Sequence, residues 1–110
     1  MGEIVTYKNA GPEGVFSQIK LGNGERILIS IAQPGIQIYK LKFKGLFPAS
    51  TVWKTDNIDQ MIVLFGDFAL SEGILLDAVI KKVIGCKSID EVKSLLSVPN
   101  IATRELHDAL

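Results

Sequence analysis

The sequence predicts an α+β domain: a curved, five-stranded antiparallel sheet over about residues 3–55, then three short helices. Three observations carry this expectation. Glu25 to Lys44 (ERILISIAQPGIQIYKLKFK) reads as two strands joined at a Pro-Gly turn. After Thr55 the apolar period changes from that of a strand to that of a helix. The chain has 110 residues, of which 47% are apolar, enough for one core and a single domain. Residues 1–55 form its β-rich half and residues 56–110 its helical half.

Taken in order, Glu3 to Lys8 (EIVTYK) is rich in β-branched and aromatic residues and reads as the first strand. Val15 to Leu21 is the second, with Val15, Ser17, Ile19 and Leu21 on one face and Phe16, Gln18 and Lys20 on the other. Asn23-Gly24 marks a hairpin turn, because both residues tolerate positive φ. In the third strand Ile27, Ile29 and Ile31 alternate with Leu28, Ser30 and Ala32. Gln33-Pro34-Gly35-Ile36 has Pro and Gly at the two central positions of a type II turn. The return strand sets Gln37, Tyr39, Leu41 and Phe43 against Ile36, Ile38, Lys40, Lys42 and Lys44. Its apolar residues change face near Tyr39, so a bulge or bend is expected there. Gly45-Leu46-Phe47-Pro48 reads as a bend, and Ala49 to Thr55 as the fifth strand. Such a meander forms either an open curved sheet or an SH3-like partial barrel.

Asp56 or Asn57 can cap a helix through Ile58, Met61, Ile62 and Phe65, although MIVLF is apolar all round and a buried strand is the alternative. Ser71 caps a second helix from Glu72 to Ile84, with Gly85 at its end. Ser88-Ile89-Asp90-Glu91 is a capping box for a third helix buried along Ile89, Val92, Leu95 and Leu96. Pro99 ends that helix, and Thr103 suits the cap of a last short helix, Arg104 to Ala109.

Twelve basic and twelve acidic residues cancel, yet residues 1–55 carry a net +4 and residues 56–110 a net −4. Such asymmetry marks either an interaction surface or attraction between the two halves. Cys86 is the single cysteine, which excludes an intramolecular disulfide and fits a reducing compartment. No signal peptide and no apolar run near about 18 residues is present, so a cytoplasmic protein is expected. Gly2 and Thr6 formally fit an N-myristoylation pattern, one too short to carry weight.

Catalysis needs groups that converge, and the sequence offers no specific enzyme motif. His107 is the single histidine, and nothing in its spacing links it to Cys86. One His and one Cys make a zinc site within the chain implausible, and neither a metal nor a cofactor is expected. Gly22-Asn23-Gly24 has no helix after it and is no phosphate loop. Asp67 and Glu72 flank a turn where a cation would fit, but Glu72 is equally a helix-start residue.

Three functional readings remain. The second helix has more apolar residues than one stripe needs, so Leu75, Leu76, Val79, Ile80 and Val83 are candidates for an oligomer or partner interface. This makes a non-catalytic interaction module, self-associating or protein-binding, the leading expectation. Lys40, Lys42 and Lys44, with Lys20, Arg26 and Lys54 on neighbouring strands and Tyr39, Phe43 and Trp53 among them, suggest a nucleic-acid surface. A regular strand would, however, point Tyr39 and Phe43 away from those three lysines. Tyr39, Trp53, Asp56 and Asp59 near the sheet-to-helix junction are candidates for a small-molecule or enzyme pocket.

Overall fold

The computed structural model of the chain describes residues 2–9, 14–32, 35–42, 47–66 and 71–97. Five strands, β1 (Glu3–Asn9), β2 (Val15–Lys20), β3 (Arg26–Ala32), β4 (Gly35–Lys42) and β5 (Phe47–Thr55), precede three helices. These are α1 (Ile58–Phe65), α2 (Glu72–Val83) and α3 (Ile89–Leu96). The strands pair antiparallel in sequence order, β1-β2-β3-β4-β5. The α+β expectation therefore holds in its open-sheet form. Closure into an SH3-like barrel would require β1 to pair with β5, and these two strands are instead the sheet's edges.

Both edges are irregular. In β1, Ile4 faces Ile19 and Thr6 faces Gln18, which leaves Val5 as an extra residue. In β5, Val52 and Ala49 are skipped between the pairs Ile38–Trp53 and Tyr39–Thr51, and between Lys40–Ser50 and Leu41–Pro48. The irregularity expected near Tyr39 is found, but the extra residues belong to β5, not β4. Bulges increase local twist and disturb the row of edge groups that would otherwise recruit another strand. The expected bend at Phe47-Pro48 is strand instead; an edge strand tolerates a proline because its missing N–H need not face a neighbour.

The core lies on one face of the sheet. Val15 and Ile19 of β2, Ile27, Ile29 and Ile31 of β3, and Ile36 and Ile38 of β4 are buried at every second position. Across this ridge lies α2, whose Leu76, Val79 and Val83 are each 0% exposed. Leu21, Met61, Leu64, Leu75, Ile80, Cys86, Ile89, Val92 and Leu96 complete the cluster. Ser17 is the one polar side chain buried within this face among the described residues; its Oγ donates to the Thr6 carbonyl at 2.7 Å, so its burial leaves nothing unsatisfied.

The helices start where their caps dictate. Asn57 Oδ1 accepts from the Gln60 N–H at 3.1 Å, Ser71 Oγ from Ile74 at 3.3 Å, and Ser88 Oγ from Glu91 at 3.2 Å. Residues 61–65 are helix, and the all-round apolar character of MIVLF divides between buried Met61 and Leu64 and exposed Ile62 and Val63. The first of these helices also presses Phe65 edge-on against Trp53, with ring centroids 6.2 Å apart. Ile84 is the C-cap of α2, so the helix proper stops one residue short of expectation.

Two glycines answer to close approach. Ala32 pairs with Gly35, so Gly35 is the first residue of β4 and not a central turn residue as expected. A Cβ there would stand 2.6 Å from the Thr55 carbonyl oxygen, which is why the position needs glycine. Gly2 donates its N–H to the Ile84 carbonyl at 2.9 Å, and a Cβ on it would meet that same oxygen at 2.6 Å. Steric need thus accounts for the glycine of the lipidation-like start. The Gln33-Pro34 turn, the Gly45-Leu46 bend, Phe43, Lys44, Asp67, Pro99, Thr103, His107 and the expected helix over 104–109 lie outside the described residues.

Because Leu76 is fully buried between α2 and the isoleucine ridge, Leu76→Ala should cost about 3 kcal/mol of unfolding free energy. Urea denaturation of the two proteins measures this directly; a loss under about 1 kcal/mol would place the side chain outside the core.

Candidate functional site

Burying the isoleucine face fixes what the other face displays. Opposed residues of an antiparallel pair share a face, so the register defines rows across the sheet. One row runs Gln18–Leu28–Tyr39–Thr51 and the next Phe16–Ser30–Gln37–Lys54, while Lys20 stands beside Arg26 toward the other end. None of the described helices packs here: Leu28, Tyr39, Phe16 and Ser30 are half-buried, and Gln37, Thr51 and Lys54 are exposed. Lys20 and the Phe16 row are four residues apart along β2, about 14 Å. Cations therefore stand at both ends of a strip whose middle is Leu28 and Tyr39. No carboxylate occurs anywhere in β2, β3 or β4.

The structure separates several residues that the sequence grouped. Leu75, Leu76, Val79, Ile80 and Val83 are all buried in the chain's own core, so they offer a partner no surface. The exposed apolar side chains of the first two helices are Ile58, Ile62, Val63 and Ile74. Of the lysines, Lys20 and Lys54 share the uncovered face with Tyr39. Lys40 is opposite Ile27 and so belongs to the covered face, Lys42 is exposed at the end of β4, and Lys44 lies outside the described residues. The pocket grouping also divides. Trp53 pairs with Ile38 on the covered face and packs against the core, whereas Tyr39 is on the opposite face. Asp59 is exposed in the first turn of α1, and Asp56 borders a cleft whose lining includes none of the other three.

Lys40 stands near Glu25. Glu25 Oε1 accepts from Asn23 Nδ2 at 2.6 Å and from the Ile89 backbone N–H at 3.1 Å. The hairpin turn, with Gly24 at φ +94°, docks beside this contact: Gly22 and Asn23 donate their N–H groups to the carbonyls of Cys86 and Lys87. The Glu25 carboxylate thus caps α3 from the distant β2–β3 connection. The Asn23 side chain first and then the Ile89 amide hold its pKa below the ordinary glutamate value, with burial opposing them and the nearby Lys40 charge adding the least. The capping box of α3 is realised in only one direction, since Glu91 Oε2 accepts from the Lys87 N–H at 2.7 Å rather than from Ser88.

Other chemistry is sparse. Cys86 is buried, and desolvation followed by the Glu91 charge pushes its thiol pKa up, the reverse of an activated nucleophile. Among the described residues no group of three His, Cys, Asp or Glu side chains could hold a metal ion. No helix among them is long and apolar enough to cross a membrane. A cleft of about 690 Å³ opens where the β3, β4 and β5 ends meet the start of α1, and Ser30, Gln37 and Lys54 of the uncovered face form one wall. Ser30, Gln37, Leu28 and Gln60 were not singled out from sequence. The signal was there for the first three, as the positions alternating with Ile27, Ile29, Ile31, Ile36 and Ile38.

Compared with known proteins, the chain matches no family model, no curated protein and no solved structure. Function must therefore be read from the uncovered face and the cleft beside it.

The Glu25 contact predicts a pH dependence. A carboxylate with a lowered folded pKa adds stability above its unfolded pKa and loses it as pH falls through the folded value. Glu25→Gln should therefore cost about 1 kcal/mol at pH 7, with the gap to the parent closing below about pH 4. Thermal melts of both proteins from pH 3 to 7 would show it; a gap that stays constant with pH removes the role of the charge.

Proposed function

We propose that the chain is a non-catalytic binding domain that takes single-stranded nucleic acid on the uncovered face of its sheet. The observation that carries this reading is that face's composition: Tyr39 and Leu28 half-buried in the middle, Lys20 and Arg26 toward one end, Lys54 toward the other. Bases stack on an accessible ring whatever their sequence, while cations on either side of it follow the phosphates. The absence of any carboxylate from β2, β3 and β4 supports the same ligand, because an acidic neighbour would repel a phosphate; Glu3 of the edge strand β1, opposite Lys20, is the exception on this face. The helical layer serves as the rigid back of this surface. The single buried thiol and the reading of the ligand both suit a cytoplasmic protein.

Self-association is a second reading, favoured by a separate observation. Ile58, Ile62, Val63 and Ile74 are between 44% and 54% exposed, on two helices that touch each other. A second copy of the chain meeting there would withdraw those side chains from water. Sedimentation velocity over a range of concentrations tests it: a dimer that Ile62→Lys dissociates supports the reading, and a monomer throughout removes it.

For nucleic acid, anisotropy of a labelled mixed-sequence single strand should show binding that weakens steeply with salt. Lys20→Ala combined with Lys54→Ala should weaken binding roughly tenfold and lower the salt slope by about 1.4, at about 0.7 for each phosphate left without its lysine. Absence of binding even at low salt would end the nucleic-acid reading.

A further inference from the structure

The cleft at the end of the uncovered face has a lining that a general phosphate surface does not require. Its volume, about 690 Å³, falls within the range typical of small-molecule sites, roughly 300–1,000 Å³. It borders Ser30, Gln37 and Lys54 on the sheet, and Asp56, Asn57 and Gln60 at the start of α1. The first three form one cross-strand row, immediately beside the row that holds Leu28 and Tyr39. The cleft is thus continuous with the proposed strand-binding face.

Internal hydrogen bonds decide which groups remain to meet a ligand. Gln37 Oε1 accepts from the Tyr39 hydroxyl, and Gln60 Oε1 accepts from Thr55 Oγ1 at 2.5 Å. With both amide oxygens engaged, each glutamine is left to present its NH₂ as a donor. Asn57 supplies the cap of α1, and the Asp56 carboxylate, exposed one residue earlier, takes no part in it. The cleft therefore combines amide donors, an acceptor-only carboxylate and one cation.

We propose that this cleft receives one base of the bound strand and selects guanine; the inference rests on the nucleic-acid reading above. Guanine carries two adjacent N–H donors, N1–H and N2–H₂, that match the paired oxygens of a carboxylate, with O6 beside them to accept from an amide. Adenine, cytosine and uracil lack that pair of adjacent donors next to an acceptor. Asp56 accepts from N1 and N2, Gln37 or Gln60 donates to O6, and Lys54 meets the phosphate. Tyr39, in the adjoining row, holds the neighbouring base. A carboxylate at this place would otherwise work against a polyanion, and base recognition gives its position a use.

The test uses the full chain and labelled ten-nucleotide uridine strands whose fifth position is G, A, C or U, a single guanine being unable to form quadruplexes. The guanine strand should bind roughly tenfold more tightly than the others, the discrimination expected of one bidentate pair. Asp56→Asn should reduce that ratio to near one, whereas Asp59→Asn, which removes an equal charge outside the cleft, should leave it intact. If the strands bind without preference, or the preference survives Asp56→Asn, the guanine site is overturned and strand binding by the face stands. If no strand binds, both fail.

Discussion

The contact between the isoleucine ridge and α2 is the constraint from which the rest of the molecule follows. A sheet of this size can hide only one face behind three short helices, and the side-chain period of two then assigns every second residue of the regular strands. Ile27, Ile29 and Ile31 go inward together, so Leu28, Ser30 and Ala32 go outward together. A one-residue slip between β3 and β4 would bury Gln37 and Tyr39 and expose Ile36 and Ile38. The uncovered face is therefore held in register by the hydrophobic energy of the face behind it. Its own side chains need contribute nothing to folding, which leaves them free to be chosen for a ligand.

The ends of the layer are fastened by polar contacts of long sequence separation. Glu25 caps α3, the β2–β3 turn donates two N–H groups to the connection between α2 and α3, and Gly2 donates to the end of α2. These bonds place one end of the helical layer against the β2–β3 end of the sheet. At the opposite end, the edge-on contact of Trp53 with Phe65 and the Thr55–Gln60 hydrogen bond set the angle at which α1 leaves β5. That departure angle opens the cleft, since α1 supplies one wall and the sheet the other.

Much of the fold was legible because its elements are each written in a single local pattern. The alternation of β3 and the Asn57, Ser71 and Ser88 caps all sit within a few residues of what they specify. What was illegible depends on distant partners. Sequence shows that α2 has two apolar sides, but not that the sheet, α1 and α3 together cover Leu75, Leu76, Val79, Ile80 and Val83. It shows three lysines at alternate positions, but not that Lys40 stands opposite Ile27 on the covered face. It shows a glycine after a proline, whereas the reason for Gly35 is the Thr55 carbonyl at the far end of β5. The candidate surface was half legible for the same reason: Lys20, Lys54 and Tyr39 were named, while their company with Leu28 and Gln37 required the register.

The opposed charges of the two halves of the sequence acquire a spatial meaning in this arrangement. Among the described residues of that half, Asp59, Glu72, Asp77, Asp90 and Glu91 are carried by the helical layer, behind the sheet as seen from the uncovered face. A layer of helices stands about 10 Å behind a sheet, and charges separated by more than a Debye length, about 10 Å at moderate salt, hardly interact. A polyanion on the uncovered face would consequently meet Lys20, Arg26 and Lys54 at contact distance and the helical carboxylates only through screening. Net neutrality of the chain is thus no argument against an anionic ligand. The exception is Asp56, which stands where β5 hands over to α1 and borders the cleft itself. Its charge must either weaken binding at that end or be matched by donors on the ligand, and the paired N–H donors of a guanine edge match its two oxygens.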